Sequence, residues 1–242
     1  MYWKALLFVS AFVGVHSIEI SDIKPCKSND NACIADITNS FFQAAIKGDP
    51  SQDIEVLDPL HQDRIEGKLA RMTYTLSNTT VVGFQKCHVT RSRINLRRKL
   101  MRFRLECPYF HMSGLYEASG KLISVPIEGN GNYTFECKDY NIAIETDTKT
   151  IQGSNDIGNK YLQLENAEVT PDLRGGMVAN LTNLFNGQND QLADAALKFA
   201  NNNWRPVSRE LHGPVFDENI KKIIQNLNKY LGTVPLDKII IK

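Results

Sequence analysis

The chain has 242 residues, and its 28 lysines and arginines against 27 acidic residues give a formal net charge of +1. A general nucleic-acid-binding protein needs a basic surplus to displace phosphate counterions, so this balance argues against that class, and equally against an acidic disordered tail. The 42% hydrophobic and 23% charged content is that of an ordinary globular protein.

The first 17 residues predict a signal peptide. A short basic segment ending at Lys4 precedes the apolar run from Ala5 to Val15, and Val15 and Ser17 suit the positions read by signal peptidase. A transmembrane anchor needs about 18–20 apolar residues, which neither this run nor any later stretch supplies. We therefore expect cleavage after Ser17, secretion into the extracellular fluid, and a single domain over residues 18–242.

Two further features suit a secreted protein. Asn-x-Thr acceptors for N-linked glycans occur at Asn78, Asn132 and Asn180. Cys26 and Cys33 follow the predicted signal closely, and in an oxidising compartment we expect them to form a disulfide. The alternative is a pair of free thiols in the core.

Residues 30–47 predict a helix. Asp30 or Asn31 suits its N-cap, and Gly48-Asp49-Pro50 ends it. Its apolar residues recur at spacings of three and four, at Ile34, Ile37, Phe41, Phe42 and Ala45.

From about residue 54 to residue 184 the pattern changes to that of strands. Apolar and polar residues alternate, with Gly, Asn or Pro between the runs, and Gly129-Asn-Gly131 predicts a hairpin turn. This alternation is typical of a long antiparallel meander with one apolar face and one wet face. The runs are 73–76, 81–89, 100–105, 122–127, 133–144, 161–169 and 177–185.

The other three cysteines lie in this region, and their pairing stays open. Cys107 and Cys137 share the apolar face of their runs, where a free thiol behaves as a small hydrophobic group. Cys87 and Cys107 lie symmetrically about a predicted turn near residues 96–98, which would place them opposite each other across a hairpin. The odd count of five cysteines leaves at least one thiol without a partner within the chain.

Beyond residue 188 the period returns to that of a helix. One apolar stripe comprises Leu192, Ala195, Ala196 and Phe199, and a second comprises Val215, Ile220, Ile223, Ile224, Leu227 and Leu231. We expect breaks near Pro206 and Pro214, the end of the second helix at Gly232, and a short strand at 239–241 after Pro235. These elements predict an α+β fold, in which long helices cover the apolar face of a large curved sheet.

The densest charge cluster has two interpretations, an anion-binding patch or the solvated face of a hairpin. The alternation of Arg102 and Arg104 with Met101, Phe103 and Leu105 favours the solvated face. No platform of interleaved basic and aromatic residues for nucleic acid is recognisable. The cluster consists of Arg91, Arg93, Arg97, Arg98, Lys99, Arg102 and Arg104.

Motifs that carry chemistry are mostly missing. The sequence has no Gly-x-Ser-x-Gly elbow, no His-Glu-x-x-His and no glycine-rich phosphate loop. Asp58, His61 and Asp63 come nearest to a metal-ligand group, but a surface histidine in a loop is the simpler interpretation. A pair of carboxylates for acid–base catalysis, brought together by folding, stays an open alternative, although no feature of the sequence supports it. We expect no catalytic residues, no metal ion, no cofactor and no enzyme activity.

The positive signal is apolar. The inward residues of the sheet must pack against Leu192, Phe199, Leu211 and their neighbours. They form either a solid core or the wall of a cavity for a small hydrophobic ligand. Periodicity alone does not separate these two interpretations.

Specific segments resemble the Takeout/juvenile-hormone-binding-protein family, and the resemblance covers essentially the whole mature chain. The segment 116–131 is similar to the family's central signature, and 183–187 is similar to its second signature. In chain order the matching segments are the Cys26/Cys33 pair, DPLH at 58–61, YEASGKLISVPIEGNG at 116–131, NLFNG at 183–187 with Leu192 and Asn203-Trp204 beyond it, and Val234-Pro235.

The resemblance implies a fold related to tubular lipid-binding proteins, in which a highly curved antiparallel sheet wraps a long helix. It implies an internal tunnel for a terpenoid, fatty-acid-like or quinone-like lipid, in a secreted carrier or sensor linked to hormone transport, feeding, clock output or chemosensation. The Cys26–Cys33 disulfide carries over. The family's hormone carriers have a second disulfide late in the chain, whereas this sequence has no cysteine after Cys137, which favours a Takeout-like member with another ligand.

Large inward-facing residues are the tunnel candidates. Phe42, Leu192 and Phe199 suit a plain core equally well. Tyr116 and Tyr133 offer a hydroxyl either to a ligand head group or to the backbone. The full set is Phe41, Phe42, Phe103, Leu105, Tyr116, Leu122, Tyr133, Phe135, Leu184, Phe185, Leu192, Phe199 and Trp204.

Two other functions stay open. One is a secreted interaction or signalling glycoprotein whose tube is filled by side chains, although the sequence identifies no receptor or other protein partner. The other is a lipid-modifying enzyme, for which the nucleophile motif is missing. A continuous apolar cavity larger than about 300 Å³ would favour the carrier over the filled tube.

Overall fold

The computed structural model describes residues 23–69, 71–123, 125–153 and 158–241, so the predicted signal peptide at 1–17 lies outside the described residues. The long elements follow the predicted order, which is one helix, then a series of strands, then further helices. In chain order the helices and strands are β1 (Cys26–Lys27), α1 (Asn31–Lys47), β2 (Leu60–Lys68), β3 (Met72–Val82), β4 (His88–Asn95), β5 (Leu100–Leu122), β6 (Val125–Gln152), β7 (Lys160–Leu181), α2 (Asp190–Asn202), α3 (Trp204–Leu231), α4 (Leu236–Ile239) and β8 (Ile240–Ile241).

Helix α1 confirms the predicted helix and its caps. A carboxylate oxygen of Asp30 accepts the backbone N–H of Cys33 at 3.1 Å, which satisfies one of the free donors of the first turn. Gly48, with φ of 66°, ends the helix. The predicted apolar stripe is buried, with Phe42, Ala45 and Ile46 at 0% exposure.

Six strands form one antiparallel sheet in the order β2-β3-β5-β6-β7, and β4 also pairs with β5. On the side away from β6, strand β5 has two neighbours. Its segment Leu100–Glu106 pairs with β4, and its segment His111–Gly120 pairs with β3. The sheet does not close on itself, so β2, β4 and β7 are each paired along one side only. The inner face is apolar and the outer face polar, which confirms the predicted curved antiparallel meander.

The predicted hairpin turn at Gly129–Gly131 is wrong, because these residues lie inside the continuous strand β6. The pairing of β5 with β6 extends instead to Leu122 opposite Val125. A Cβ atom on Gly129 would lie 2.7 Å from the carbonyl oxygen of Asn183, and one on Gly131 would lie 2.5 Å from that of Thr182. The two glycines therefore serve the close approach of the chain after β7, not a change of direction.

The predicted breaks near Pro206 and Pro214 are also wrong, since the helices divide at Asn203 and α3 continues through both prolines. Pro206 lies in the first turn of α3, where a missing N–H removes no helical hydrogen bond. Pro214 does remove one, but the buried stripe that includes Ile220 and Ile223, both at 0% exposure, still packs against the sheet. Gly232 caps α3 as predicted.

Asparagine side chains tie the helices to the edge strand β7. The amide of Asn228 accepts the N–H of Leu164 and donates to its carbonyl, both at 2.8 Å. Asn201 makes the same pair of bonds with Ala179, at 2.7 and 3.0 Å. Each side chain replaces one residue of a missing neighbouring strand, so the edge is closed at these two points without further sheet.

Two disulfides and a short sheet join distant parts of the chain. Cys26–Cys33 is formed as predicted. Cys87–Cys107 links the residue before β4 to a residue inside β5, at the end of the hairpin away from its turn, which resolves the open pairing. Cys137 is free and buried. Strand β1 pairs in parallel with β8, so Cys26 lies opposite Ile240, and the predicted 239–241 strand is shortened by α4 to two residues.

The buried apolar residues form one cluster between the sheet, α1 and α3. The fold thus has the long helix wrapped by a curved sheet that the resemblance implies. Across the described part of the chain, no helix combines the length and the apolar character needed to cross a membrane.

Candidate functional site

A row of narrow apolar cavities lies between the sheet and the helices. The proximal cavity, about 30 Å³, lies where α1, the start of β5 and the end of α3 meet. It contains Phe41 and Phe103, two of the predicted tunnel residues. Its lining is Ile34, Ile37, Thr38, Phe41, Ile94, Met101, Phe103, Leu162, Leu164, Leu227, Leu231, Ile239 and Ile240.

The middle cavity, about 50 Å³, and the distal cavity, about 60 Å³, follow along β5 in the direction of the chain. They share the side chains of Phe135, Leu211 and Val215, so they are neighbours with a common wall. The middle cavity is lined by Val81, Phe84, Phe110, Met112, Phe135, Cys137, Tyr140, Met177, Ser208, Leu211, Val215, Phe216 and Asn219. The distal cavity is lined by Met72, Tyr74, Leu76, Tyr116, Ala118, Leu122, Ile127, Phe135, Ala179, Leu181, Ala196, Leu197, Ala200, Val207, Leu211 and Val215.

Four fully buried side chains separate the proximal cavity from the middle one. Leu105 and Ile142 are paired across β5 and β6, and Ile220 and Ile223 lie on α3 between the linings of the two cavities. All four are at 0% exposure. We call this group the aliphatic plug, because in this conformation it interrupts the row.

The proximal cavity adjoins a wide groove at the end of the sheet. The groove has a volume of about 1060 Å³, and Ile94 and Ile240 line both the groove and the proximal cavity. This mouth groove also includes the turn after β4, with Leu96 and Arg97, and the start of β7 at Lys160. The row therefore has one end at the surface.

The structure brings five of the thirteen tunnel candidates to a cavity wall. Phe41 and Phe103 line the proximal cavity, Tyr116 and Leu122 line the distal cavity, and Phe135 lies between the middle and distal ones. As contacts to a ligand these five remain predictions.

The other candidates lie elsewhere. Phe42, Leu105, Tyr133 and Leu184 are buried without lining a cavity described above, and Phe185, Phe199 and Trp204 are half-buried. Leu192 is 40% exposed, which corrects its inward assignment. Helix α2 buries Ala196 and Ala200 against the sheet, whereas Leu192 and Ala195 of the predicted stripe are exposed.

Both candidate head-group hydroxyls already have protein partners. The Tyr116 hydroxyl donates to the carbonyl oxygen of Thr182 at 2.7 Å, and the Tyr133 hydroxyl lies 2.8 Å from Thr79 Oγ1. Burial raises the pKa of both tyrosines, so both stay neutral at physiological pH. For Tyr116, the structure thus shows the bond to the backbone that the sequence analysis gave as the alternative to a ligand head group.

Sequence reasoning missed Tyr74, whose ring lines the distal cavity. Its hydroxyl is buried and has no hydrogen-bond partner among the described residues. Burial raises the pKa of Tyr74 to about 12. The alternation of Met72, Tyr74 and Leu76 marked the inner face of β3, but no pattern shows which inner residue borders a void.

Cys137 is the free cysteine of the described residues, and it also lies in the row of cavities. It lines the middle cavity, and burial raises the pKa of its thiol to about 12. A buried neutral thiol is a poor nucleophile, so this cysteine behaves as a small apolar side chain, as its position on the strand predicts.

The residues that came nearest to a metal group do not converge. Asp58 accepts the backbone N–H groups of Gly83 and Gln85, and His61 Nδ1 lies 3.2 Å from Thr80 Oγ1. Within residues 23–241, apart from the undescribed positions, no three His, Cys, Asp or Glu side chains are placed to hold a metal ion. The basic cluster is exposed except for half-buried Arg104, in agreement with a solvated hairpin face.

Comparison with known proteins gives a consistent result. The family model described as haemolymph juvenile hormone binding protein matches residues 5–241. The circadian clock-controlled protein daywake of Drosophila melanogaster is 26% identical over 258 residues, which cover 98% of this chain and 95% of that protein. Its counterpart from Drosophila yakuba is 23% identical over 253 residues, with the same coverage. The crystal structure of Epiphyas postvittana Takeout 1 superposes with a TM-score of 0.80 and 28% identity, over 91% of this chain and all of that one.

Proposed function

Because this chain belongs to the haemolymph juvenile hormone binding protein family, we propose that it is a secreted carrier or sensor of a small hydrophobic ligand. The ligand class we propose is a terpenoid, fatty-acid-like or quinone-like lipid. The name of the Drosophila relatives, circadian clock-controlled protein, supports a rhythm-linked role among those proposed for Takeout-like proteins.

The observation that carries the proposal is the row of apolar cavities, whose proximal end adjoins the mouth groove. A lipid chain buried there gains about 0.8 kcal/mol per methylene, so twelve carbons supply a ceiling of about 10 kcal/mol before ordering costs. The affinity comes from burial, and no bond in the ligand needs to change.

The cavities are small, so a ligand must displace side chains. Methionine is suited to this because its unbranched side chain repacks at little cost. Each cavity has at least one: Met101 in the proximal cavity, Met112 and Met177 in the middle one, and Met72 in the distal one. We infer that ligand uptake widens the row through these side chains.

Secretion is supported by the two disulfides, which persist in oxidising compartments. The three candidate glycan acceptors, Asn78, Asn132 and Asn180, are all exposed on the sheet, so each is open to modification.

The test is ligand capture combined with a matched pair of variants on α2. Solvent extraction of the purified protein should release a stoichiometric apolar molecule, and a fluorescent lipid probe should bind saturably. Ala196→Leu fills part of the distal cavity and should lower the affinity for the fluorescent probe by about tenfold. Ala195→Leu places the same side chain on the exposed face and should leave binding unchanged. An empty extract together with no probe binding would contradict the proposal.

One observation favours a second candidate, a secreted interaction module with a filled tube. The aliphatic plug interrupts the row, and none of the three cavities that form it approaches 300 Å³. For that function the Ala196→Leu variant would act on stability alone, and neither variant would change binding to a partner protein.

A further inference from the structure

The open end of the row carries a surface that ligand burial does not use. We propose that the mouth rim, formed by the turn at residues 96–99, Lys160 and Ile241, docks on anionic lipid bilayers. The inference extends the proposed carrier function by giving the row a place to exchange lipid, while docking itself requires no ligand in the cavities.

The charge at the rim is positive although the chain is nearly neutral. Arg97, Arg98 and Lys99 are consecutive and exposed in the turn between β4 and β5, and Lys160 begins β7 on the opposite side of the groove. Among the described residues that line the groove, Asp237 is the one acidic residue. Within the described residues, none of these four basic side chains has a carboxylate at ion-pair distance, so their charge is free to meet an external anion.

Apolar side chains are exposed among these charges. Leu96 is 38% exposed and Ile241 is 40% exposed, and both line the mouth groove. A surface that combines basic groups with exposed aliphatic side chains suits an anionic bilayer, where the charges meet head groups and the aliphatic groups reach the acyl boundary. An acidic protein partner would also neutralise the basic side chains of the rim, but it would have no use for the groove that lies behind them.

The groove connects this surface to the interior. Ile94 and Ile240 lie between the mouth groove and the proximal cavity. A lipid that leaves a docked bilayer therefore enters the groove and has only Ile94 and Ile240 between it and the proximal cavity, so it need not cross bulk water. This continuity assigns the docking surface to a lipid membrane.

A basic residue near an anionic surface strengthens partition by about fivefold, so three residues together account for about 100-fold. Purified protein should therefore cosediment with phosphatidylcholine vesicles that contain phosphatidylserine and not with vesicles of phosphatidylcholine alone. Binding should weaken as salt rises, because screening shortens the reach of exposed charges.

The variants separate a local rim from general charge. The triple variant Arg97→Glu, Arg98→Glu, Lys160→Glu removes three positive charges and adds three negative ones, so it should lose at least about 100-fold in binding to anionic vesicles. The matched triple Lys68→Glu, Arg71→Glu, Lys121→Glu makes the same charge change at the other end of the sheet and should retain binding within about threefold.

A second pair tests the apolar part of the rim. Leu96→Ser should lower partition several-fold, whereas Leu115→Ser, at a comparably exposed site in the middle of β5, should not. Equal binding to both kinds of vesicle, or equal losses in the two triple variants, would overturn the proposal. Probe binding in vesicle-free solution should be unchanged in every rim variant, so a failure of docking is distinguishable from a failure of the carrier function.

Discussion

At the scale of single residues, two tyrosines on the inner face of the sheet have the same chemistry and opposite surroundings. The Tyr133 hydroxyl has Thr79 Oγ1 as a partner, while the buried Tyr74 hydroxyl has none among the described residues. A buried hydroxyl without a hydrogen bond costs about 1–3 kcal/mol. Tyr74→Phe should therefore leave the free energy of unfolding unchanged or raise it by up to about 1 kcal/mol, whereas Tyr133→Phe should lower it by about 1 kcal/mol.

Urea unfolding of both variants measures this difference, and equal losses would mean that Tyr74 is hydrogen-bonded in solution. The pH dependence adds a second readout. The folded state raises the pKa of Tyr74 from 10.0 to about 12, so it binds more protons than the unfolded state in that range. Stability should therefore fall as the pH rises from 10 towards 12, and Tyr74→Phe should make that fall shallower.

Cys137 gives a residue-scale prediction about reactivity. Its thiol pKa of about 12 leaves about one molecule in ten thousand as thiolate at pH 8. The folded, unreduced protein should therefore resist iodoacetamide, and in urea it should take up a single label, which mass spectrometry counts. Rapid labelling of the folded chain would show that the middle cavity opens to solvent, and Cys137→Ser provides the unlabelled control.

At the scale of elements, β7 depends on side chains as substitutes for a neighbouring strand. Asn228→Ala leaves the N–H and carbonyl of Leu164 without partners, at a residue that is 3% exposed. We expect a loss of about 2–4 kcal/mol and faster amide hydrogen exchange at Leu164. Gln225→Ala, on an exposed position of the same helix, should change stability by less than about 0.5 kcal/mol. Similar effects of the two variants would contradict this role of Asn228.

Several elements show what the sequence could and could not predict. The alternation identified the inner face of the long strands, and the spacing about the 96–98 turn placed Cys87 opposite Cys107. The glycines at 129 and 131 were misread because a glycine needed for close approach has the same local pattern as one needed for a turn. The bonds of Asn201 and Asn228 depend on long-range packing, which no local period records.

At the scale of the whole molecule, the proposed carrier function predicts that the aliphatic plug limits the length of the ligand. Ile223→Ala removes three carbons between the proximal and middle cavities and should cost about 2–5 kcal/mol of stability. In a series of fatty acids that displace a fluorescent probe, affinity in the wild type should stop rising at a certain chain length. In the variant that limit should move about three carbons higher.

Ile46→Ala is the matched control for the plug. Ile46 is also fully buried, but it lies on α1 and lines none of the three cavities. It should lose comparable stability and keep the wild-type chain-length limit. A shift in both variants would show that general loosening of the core, not the plug, controls the length.

The pairing of β1 with β8 affects how the protein is made. Cys26 and Lys27 precede nearly all of the folded chain, and their partners Ile240 and Ile241 come near its end. During translation the sheet can pair strand by strand as it emerges, because β2 to β7 are mostly neighbours in sequence. The pair that borders the mouth closes the longest loop in the fold, and such contacts form late. A nascent chain should therefore complete the sheet and the cavities that it lines before it forms the β1–β8 pair, so the mouth groove is the last part of the molecule to take its final shape.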